Sequence, residues 1–338
     1  MNKIFKVIWS KSKNCYVVVS EFAKNNSGKK KIVVAAILAA LAMTNASISM
    51  ASNDVPAGLP ASAVGLGPSA SVKGDKAVGF GYKASAAGGN SVVIGSNASV
   101  DASSPQGIAI GGGNQTNEGA RVIGEQAIAI GGNTIAQGNS SIVIGGDDVV
   151  KADGIKVVYT TNNGENKTGD LRSAVQSLTG FDMRNPLYTA ATAGESGITL
   201  GMKGQSGNVG IAIGTGANAK DRLPGTSTGA TGQANNDVTN AIAIGTGAKV
   251  EGNADYNQYN IAIGNKARST NKETVAIGNN ANGWGSGGIA IGSGSNAPSR
   301  GTAVGYGTKA SDEGWATAIG NEANASGRGS AAMGNGAS

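Results

Sequence analysis

No histidine occurs in the 338 residues. Its absence removes Ser-His and Cys-His nucleophile pairs, histidine general bases and the commonest zinc ligand. There is one cysteine, so the chain forms no internal disulfide. Aromatic residues make up only 4%, and an apolar fraction of 39% so poor in large rings cannot fill one thick core. It requires a thin packing unit used repeatedly. What is abundant is glycine: 56 residues, about 17% of the chain, against a usual ~7%. Collagen is excluded, because it needs about a third glycine and ~15% or more proline, and there are 7 prolines.

The net charge of +6 suggests an anionic partner until the charges are located. Residues 1–51 carry Lys3, Lys6, Lys11, Lys13, Lys24, Lys29, Lys30 and Lys31 against Glu21 alone, which leaves 19 basic and 20 acidic residues beyond them. Nucleic-acid binding therefore loses its support, since phosphate neutralisation needs clustered Lys and Arg. Lys29, Lys30 and Lys31 precede the apolar run 32–43, and Ser49, Met50 and Ala51 offer a small-x-small cleavage signal. Residues 25–51 thus read as a secretory signal peptide, with cleavage expected between Ala51 and Ser52 and Ala46 as second choice. The apolar run is too short for a spanning helix. Cys15 lies in this leader, so the mature chain has no cysteine.

Beyond the leader a short motif recurs. Ile108-Ala109-Ile110-Gly111 returns as Ile128, Ile130 and Gly131; Ile211, Ile213 and Gly214; Ile242, Ile244 and Gly245; Ile261, Ile263 and Gly264; and Ile289, Ile291 and Gly292. Variants such as 64–67, 78–81, 92–95, 275–278 and 317–320 fill the intervals, with a step of roughly fourteen residues. Each tetrad has period two, which sends its two β-branched residues to one face and its alanine to the other. The closing glycine admits a turn at positive φ, and a second short strand of small residues follows, as at Asn97-Ala98-Ser99. Two strands and two turns per repeat predict an all-β fold, a parallel β-roll or solenoid. One coil of Ile and Ala buries little, and the face left outside would be an apolar stripe, which predicts self-association.

Two resemblances follow from these residues. Residues 1–24, with Trp9, Tyr16 and Phe22 among lysines, resemble the extended signal peptide region of large autotransporters. The copies at 90–98, 127–131 and 241–245 resemble the head repeats of YadA-like trimeric autotransporter adhesins. The resemblance implies a left-handed parallel β-roll, a homotrimer sharing one core, display at the cell surface or outer membrane, and attachment to host extracellular matrix, a host cell receptor or other bacterial surface proteins. No enzyme activity, cofactor, metal or nucleic-acid partner is expected. In the collagen-associated form of the repeat a serine stands where this chain has Ala98, so collagen binding is not carried over. No heptad run or alternating ten-residue apolar strands suggest a stalk or anchor, and the chain reads as a head fragment.

The expected organisation is a leader, roll repeats at 52–145, an insert at 146–197, and roll repeats at 198–338 interrupted by a polar loop at 221–240. In the insert, Leu171, Val175 and Leu178 share a helical face, with Asp170 as N-cap and Gly180 closing the helix. Candidate ligand contacts are the scarce aromatics outside the tetrads: Tyr159, Phe181 and Tyr188 in the insert, Tyr256 and Tyr259 in a short interruption, and Trp284 and Trp315, expected in turns. Each of these has a packing role as its alternative. A left-handed hexapeptide acyltransferase would need a six-residue step and a catalytic histidine, both absent. The alternative function is a structural spacer or a self-association module for aggregation and biofilm growth.

Overall fold

The computed structural model describes residues 5–10, 14–20, 58–147, 153–161, 163–184, 190–219, 240–251, 259–311 and 313–338. The signal-peptide apolar run, Ala51 and Ser52, Tyr188, Tyr256 and nearly all of the polar loop expected at 221–240 lie outside them. Residues 1–50 and 51–338 form separate units. In the first, Phe5–Ser10 and Cys15–Ser20 pair antiparallel. Their β-branched and aromatic residues favour this pleat, and Trp9 faces Tyr16 edge-on at 4.9 Å between ring centres.

The second unit is a parallel β-roll. Among the described residues, the tetrads form a 15-stranded sheet and the intervening short strands a 14-stranded one. Registers hold residue for residue: Ile108 stacks on Ile128, Ile128 on Ile142, Ile211 on Ile242 and Ile242 on Ile261. The coils on either side of residues 220–239 are therefore direct neighbours. Alternation decides what goes inside. In the coil of Ala127, Ala129, Thr134 and Ala136 all four of these small side chains are buried, and Ile128 and Ile130 are turned outward. The interior is a column of alanine, valine, serine and threonine because two sheets this close admit nothing larger.

Hydroxyls in the column are satisfied locally. Ser141 Oγ donates to the Gly138 carbonyl at 2.7 Å and Ser295 Oγ to that of Gly292 at 2.8 Å. At two levels the core is polar. Thr199 Oγ1 donates to the Thr192 carbonyl and bonds Ser206 Oγ. Further along, the Thr274 amide donates to buried Asn260 Oδ1 at 2.9 Å, and Thr274 meets Ser269 through their hydroxyls. These two plugs separate three apolar clusters. Paired hydroxyls inside an otherwise uniform column oppose slippage by one coil, since a shifted register would leave them unpartnered.

The tetrad glycines form a column of their own. Gly245 has φ +129 and its N–H donates to the Ile213 carbonyl, continuing the ladder through the turn. A Cβ there would lie 2.5 Å from the Gly264 carbonyl oxygen of the next coil. Glycine is thus required twice, by backbone conformation and by the approach of the stacked turn.

Candidate adhesive surface

The two sheets present opposite outer surfaces. The tetrad sheet carries two continuous apolar ladders, one through Ile108, Ile128, Ile142, Ile198, Ile211, Ile242, Ile261, Val275 and Ile289, the other through Ile110, Ile130, Ile144, Leu200, Ile213, Ile244, Ile263, Ile277 and Ile291. Their side chains are half-buried to exposed. The first ladder ends on Thr302, Thr317 and Ala331, so its apolar character falls off toward the last coils. The opposite sheet points Ser85, Ser99, Arg121, Gln205, Asn218, Lys249, Arg268, Asn296 and Lys309 outward, and Arg268 pairs with Glu251 at 2.6 Å. Over most of its coils the roll is apolar on one side and mainly polar on the other, with Ile135 and Trp284 as exceptions on the polar side.

The insert packs back onto the roll. Lys156–Thr160 and Asn166–Asp170 form a hairpin, and the helix Leu171–Thr179 follows directly. Its ends are as the sequence requires: Asp170 accepts from the Ser173 amide at 2.7 Å, and Gly180 adopts φ +68. The Phe181 ring lies directly over Gly216, where any Cβ would meet it. Lys203 Nζ sits 5.0 Å from the same ring and donates to the Asp182 carbonyl. Asn265 Nδ2 reaches the Leu178 carbonyl at 3.4 Å. The insert also ends earlier than expected. Ala191–Ala193 is buried and pairs with Thr134–Ala136, so the roll resumes inside the range 146–197. This strand carries neither Ile nor Val, and its place in the ladder shows only when the coils are stacked.

A bidentate ion pair fastens the segment after the helix. Arg172 Nε and Nη2 donate to Asp182 Oδ1 and Oδ2 at 2.7 and 2.8 Å. These bonds, with the Arg184 amide, hold the Asp182 carboxyl far below the ordinary carboxylate range. A depressed acid stabilises the folded form above its unfolded pKa of ~3.9 and loses that effect as pH falls through the lower folded value. The insert should therefore stay docked in mildly acidic solution and loosen only under strong acid. Asp182→Asn should speed amide hydrogen exchange of the 171–179 helix about tenfold at neutral pH and remove the acid dependence. Unaltered exchange would show that the pair does not hold the helix.

The candidate contact residues separate into kinds. Phe181 is a docking residue, and half-buried Tyr159 lies against Gly169 within the hairpin. Tyr259 is well exposed. Trp284 ends the strand Asn282–Trp284 and is not in a turn as expected, because Asn282-Gly283 takes the place of the usual small pair; its Nε1 donates to Asn296 Oδ1 at 3.0 Å. Trp315 does lie in a turn, at φ +55, between the guanidinium groups of Arg300 and Arg328 at 5.2 and 4.5 Å from its ring centre. Among the described residues there is no cluster of three or more metal-binding side chains, and no helix is long and apolar enough to cross a membrane.

Comparison with known families meets this geometry at both parts of the chain. Residues 1–48 match the extended signal peptide of the type V secretion system, a single match spanning both expected leader segments. The YadA head domain repeat matches residues 73–98, 123–147, 239–254, 261–281 and 316–337, all within the stacked coils. The chain is similar to the YadA-like trimeric autotransporter adhesins in its leader and along these repeats. No curated protein is matched by the chain. In this YadA-like chain the roll begins before the first matched repeat, at Val64–Leu66, and continues through unmatched coils to Ala331–Met333. Its leader is that of type V export, and the family is in general non-enzymatic.

Proposed function

We propose that this YadA-like head is displayed at the cell surface as a homotrimer and attaches the cell to host matrix, host cells or neighbouring bacteria. The observation that carries the reading is the apolar, isoleucine-rich face of the tetrad sheet from Ile108 to Ile291, opposed by a mainly polar sheet. An apolar stripe of this length on an exported chain needs a cover, and copies of the same chain offer an identical stripe in the same register. Three chains turning these faces inward leave the polar sheets outside, where many weak contacts add by multivalency. Beads coated with the chain should adhere to immobilised matrix proteins or to host cells at levels well above bare beads. Beads that clump with one another and ignore matrix and cells would replace this reading with the self-association module.

A further inference from the structure

The turn that follows each tetrad glycine forms one long edge of the roll. The insert helix and Phe181 cover this edge near Gly216 and Lys266. On either side of that cover the edge opens into two clefts of about 890 and 710 Å³. The first contains Tyr82, Lys83, Asn97, Asn114, Glu118 and Arg121. The second contains Tyr306, Asn279, Asn280, Lys309, Glu322 and Asn324.

Both clefts use the same residue types at equivalent positions within a coil, although the asparagine and the cation come from different coils relative to the tyrosine. Tyr82 and Tyr306 each directly follow a tetrad glycine, and they are 47% and 60% exposed. Asn97 and Asn280 occupy the last turn position at φ +57 and +55. Arg121 and Lys309 are the outward first residues of strands in the polar sheet. The first cleft is pre-organised. Asn97 Nδ2 donates to the Gly113 carbonyl at 2.9 Å, and Glu118 Oε2 accepts from the Asn114 and Gln115 amides at 3.0 and 3.2 Å. Lys83 and Arg121 outnumber Glu118 in the first cleft, and Lys309 stands beside Glu322 in the second. Arg121 Nε is buried with no hydrogen-bond partner among the described residues, and Lys83 Nζ stands 5.2 Å from the Tyr82 ring centre.

An exposed aromatic face, convergent amides and one or two cations match an acidic saccharide. The ring face of a sugar packs on tyrosine, its hydroxyls bond the amides, and its carboxylate or sulfate meets Arg or Lys. We propose that the two clefts are paired subsites for an acidic glycan. This deepens the adhesive reading and rests on it. The clefts open on the turn edge and polar sheet, away from the isoleucine face, so trimer formation through that face leaves them accessible. Tyr82 and Tyr306 stand eleven strand steps apart in the tetrad sheet, about 53 Å at ~4.8 Å per step, which suits an extended polysaccharide held at two points.

The test is a titration of the full chain with three oligosaccharides of equal length: sulfated heparin-derived, carboxylated hyaluronan-derived and neutral chitin-derived. At least one acidic probe should bind clearly more tightly than the neutral one, and the better of the two identifies the anion. Tyr82→Ala or Tyr306→Ala should each weaken that binding about threefold and the pair together tenfold or more, with Tyr259→Ala unchanged. Arg121→Gln with Lys309→Gln should remove the preference for acid. All variants share the leader lysines, so the differences report on the clefts. The proposal is overturned if the double tyrosine variant binds like the parent, or if the neutral probe binds as well as the acidic ones. Coated beads that still attach to cells in either case would leave the adhesive reading standing without this ligand.

Discussion

Replacing Gly245 by alanine is expected to lower the stability of the roll by roughly 3–5 kcal/mol, seen in thermal unfolding as a fall in Tm on the order of 10 °C. Two costs combine. The residue is held at φ +129, where an L side chain is strained, and its new Cβ would stand 2.5 Å from the Gly264 carbonyl oxygen and 2.7 Å from its carbon. Neither neighbour is a flexible side chain. Relief would require these two coils to part, which breaks the Gly264 N–H bond to Ile244 and that of Lys266 to Thr246. Gly334→Ala separates the two effects, because Gly334 has φ +123 with nothing within 4 Å of its would-be Cβ. Its cost should be the conformational one alone, about 1 kcal/mol. If the two variants melt alike, close stacking of the glycine column is not what demands glycine.

The second large effect concerns assembly. The triple variant Ile128→Asp, Ile242→Asp and Ile289→Asp should sediment as a single chain, and the parent as three. These residues belong to non-adjacent strands, so the new carboxylates do not crowd one another within a coil stack. Each isoleucine contributes about 1.5–3 kcal/mol on full burial. Three replacements therefore forfeit roughly 5–9 kcal/mol per chain from apolar burial alone, before the cost of placing carboxylates at a buried interface. Ser85→Asp, Gln205→Asp and Asn324→Asp, outward from the polar sheet, serve as the matched control and should leave the mass unchanged. Loss of the assembly in the control but not in the isoleucine variant would put the interface on the wrong sheet.

Much of this fold is legible in the residues because the repeat states the same local rule many times. A β-branched, small, β-branched, glycine tetrad has only one pleat, and its glycine has one backbone reason to be there. The helix of the insert is equally local, since Asp170 and Gly180 act within a few residues of themselves. The misreadings arise where a residue's neighbour lies in another coil. Ala191–Ala193 looks like insert until it is set beside Thr134–Ala136. Trp284 looks like a turn residue until its strand is paired with Asn296–Ala297. For Tyr82 and Tyr306 the sequence carries a single signal, a tyrosine directly after a tetrad glycine. Lys83 and Lys309 lie within three residues of these tyrosines, but Arg121 lies two coils beyond Tyr82, a relation that no short window contains.

The sequence by itself determined export, the repeat, the glycine turns and the apolar stripe, because each follows from residues close together in the chain. Tertiary structure decided where the stripe goes, how the insert docks and which aromatics stay open. Sheets that approach closely enough to stack on alanine have no room for isoleucine, so the large side chains are driven outside. Phe181 finds Gly216, and Tyr82 and Arg121 share a cleft, only once the coils bring distant turns side by side.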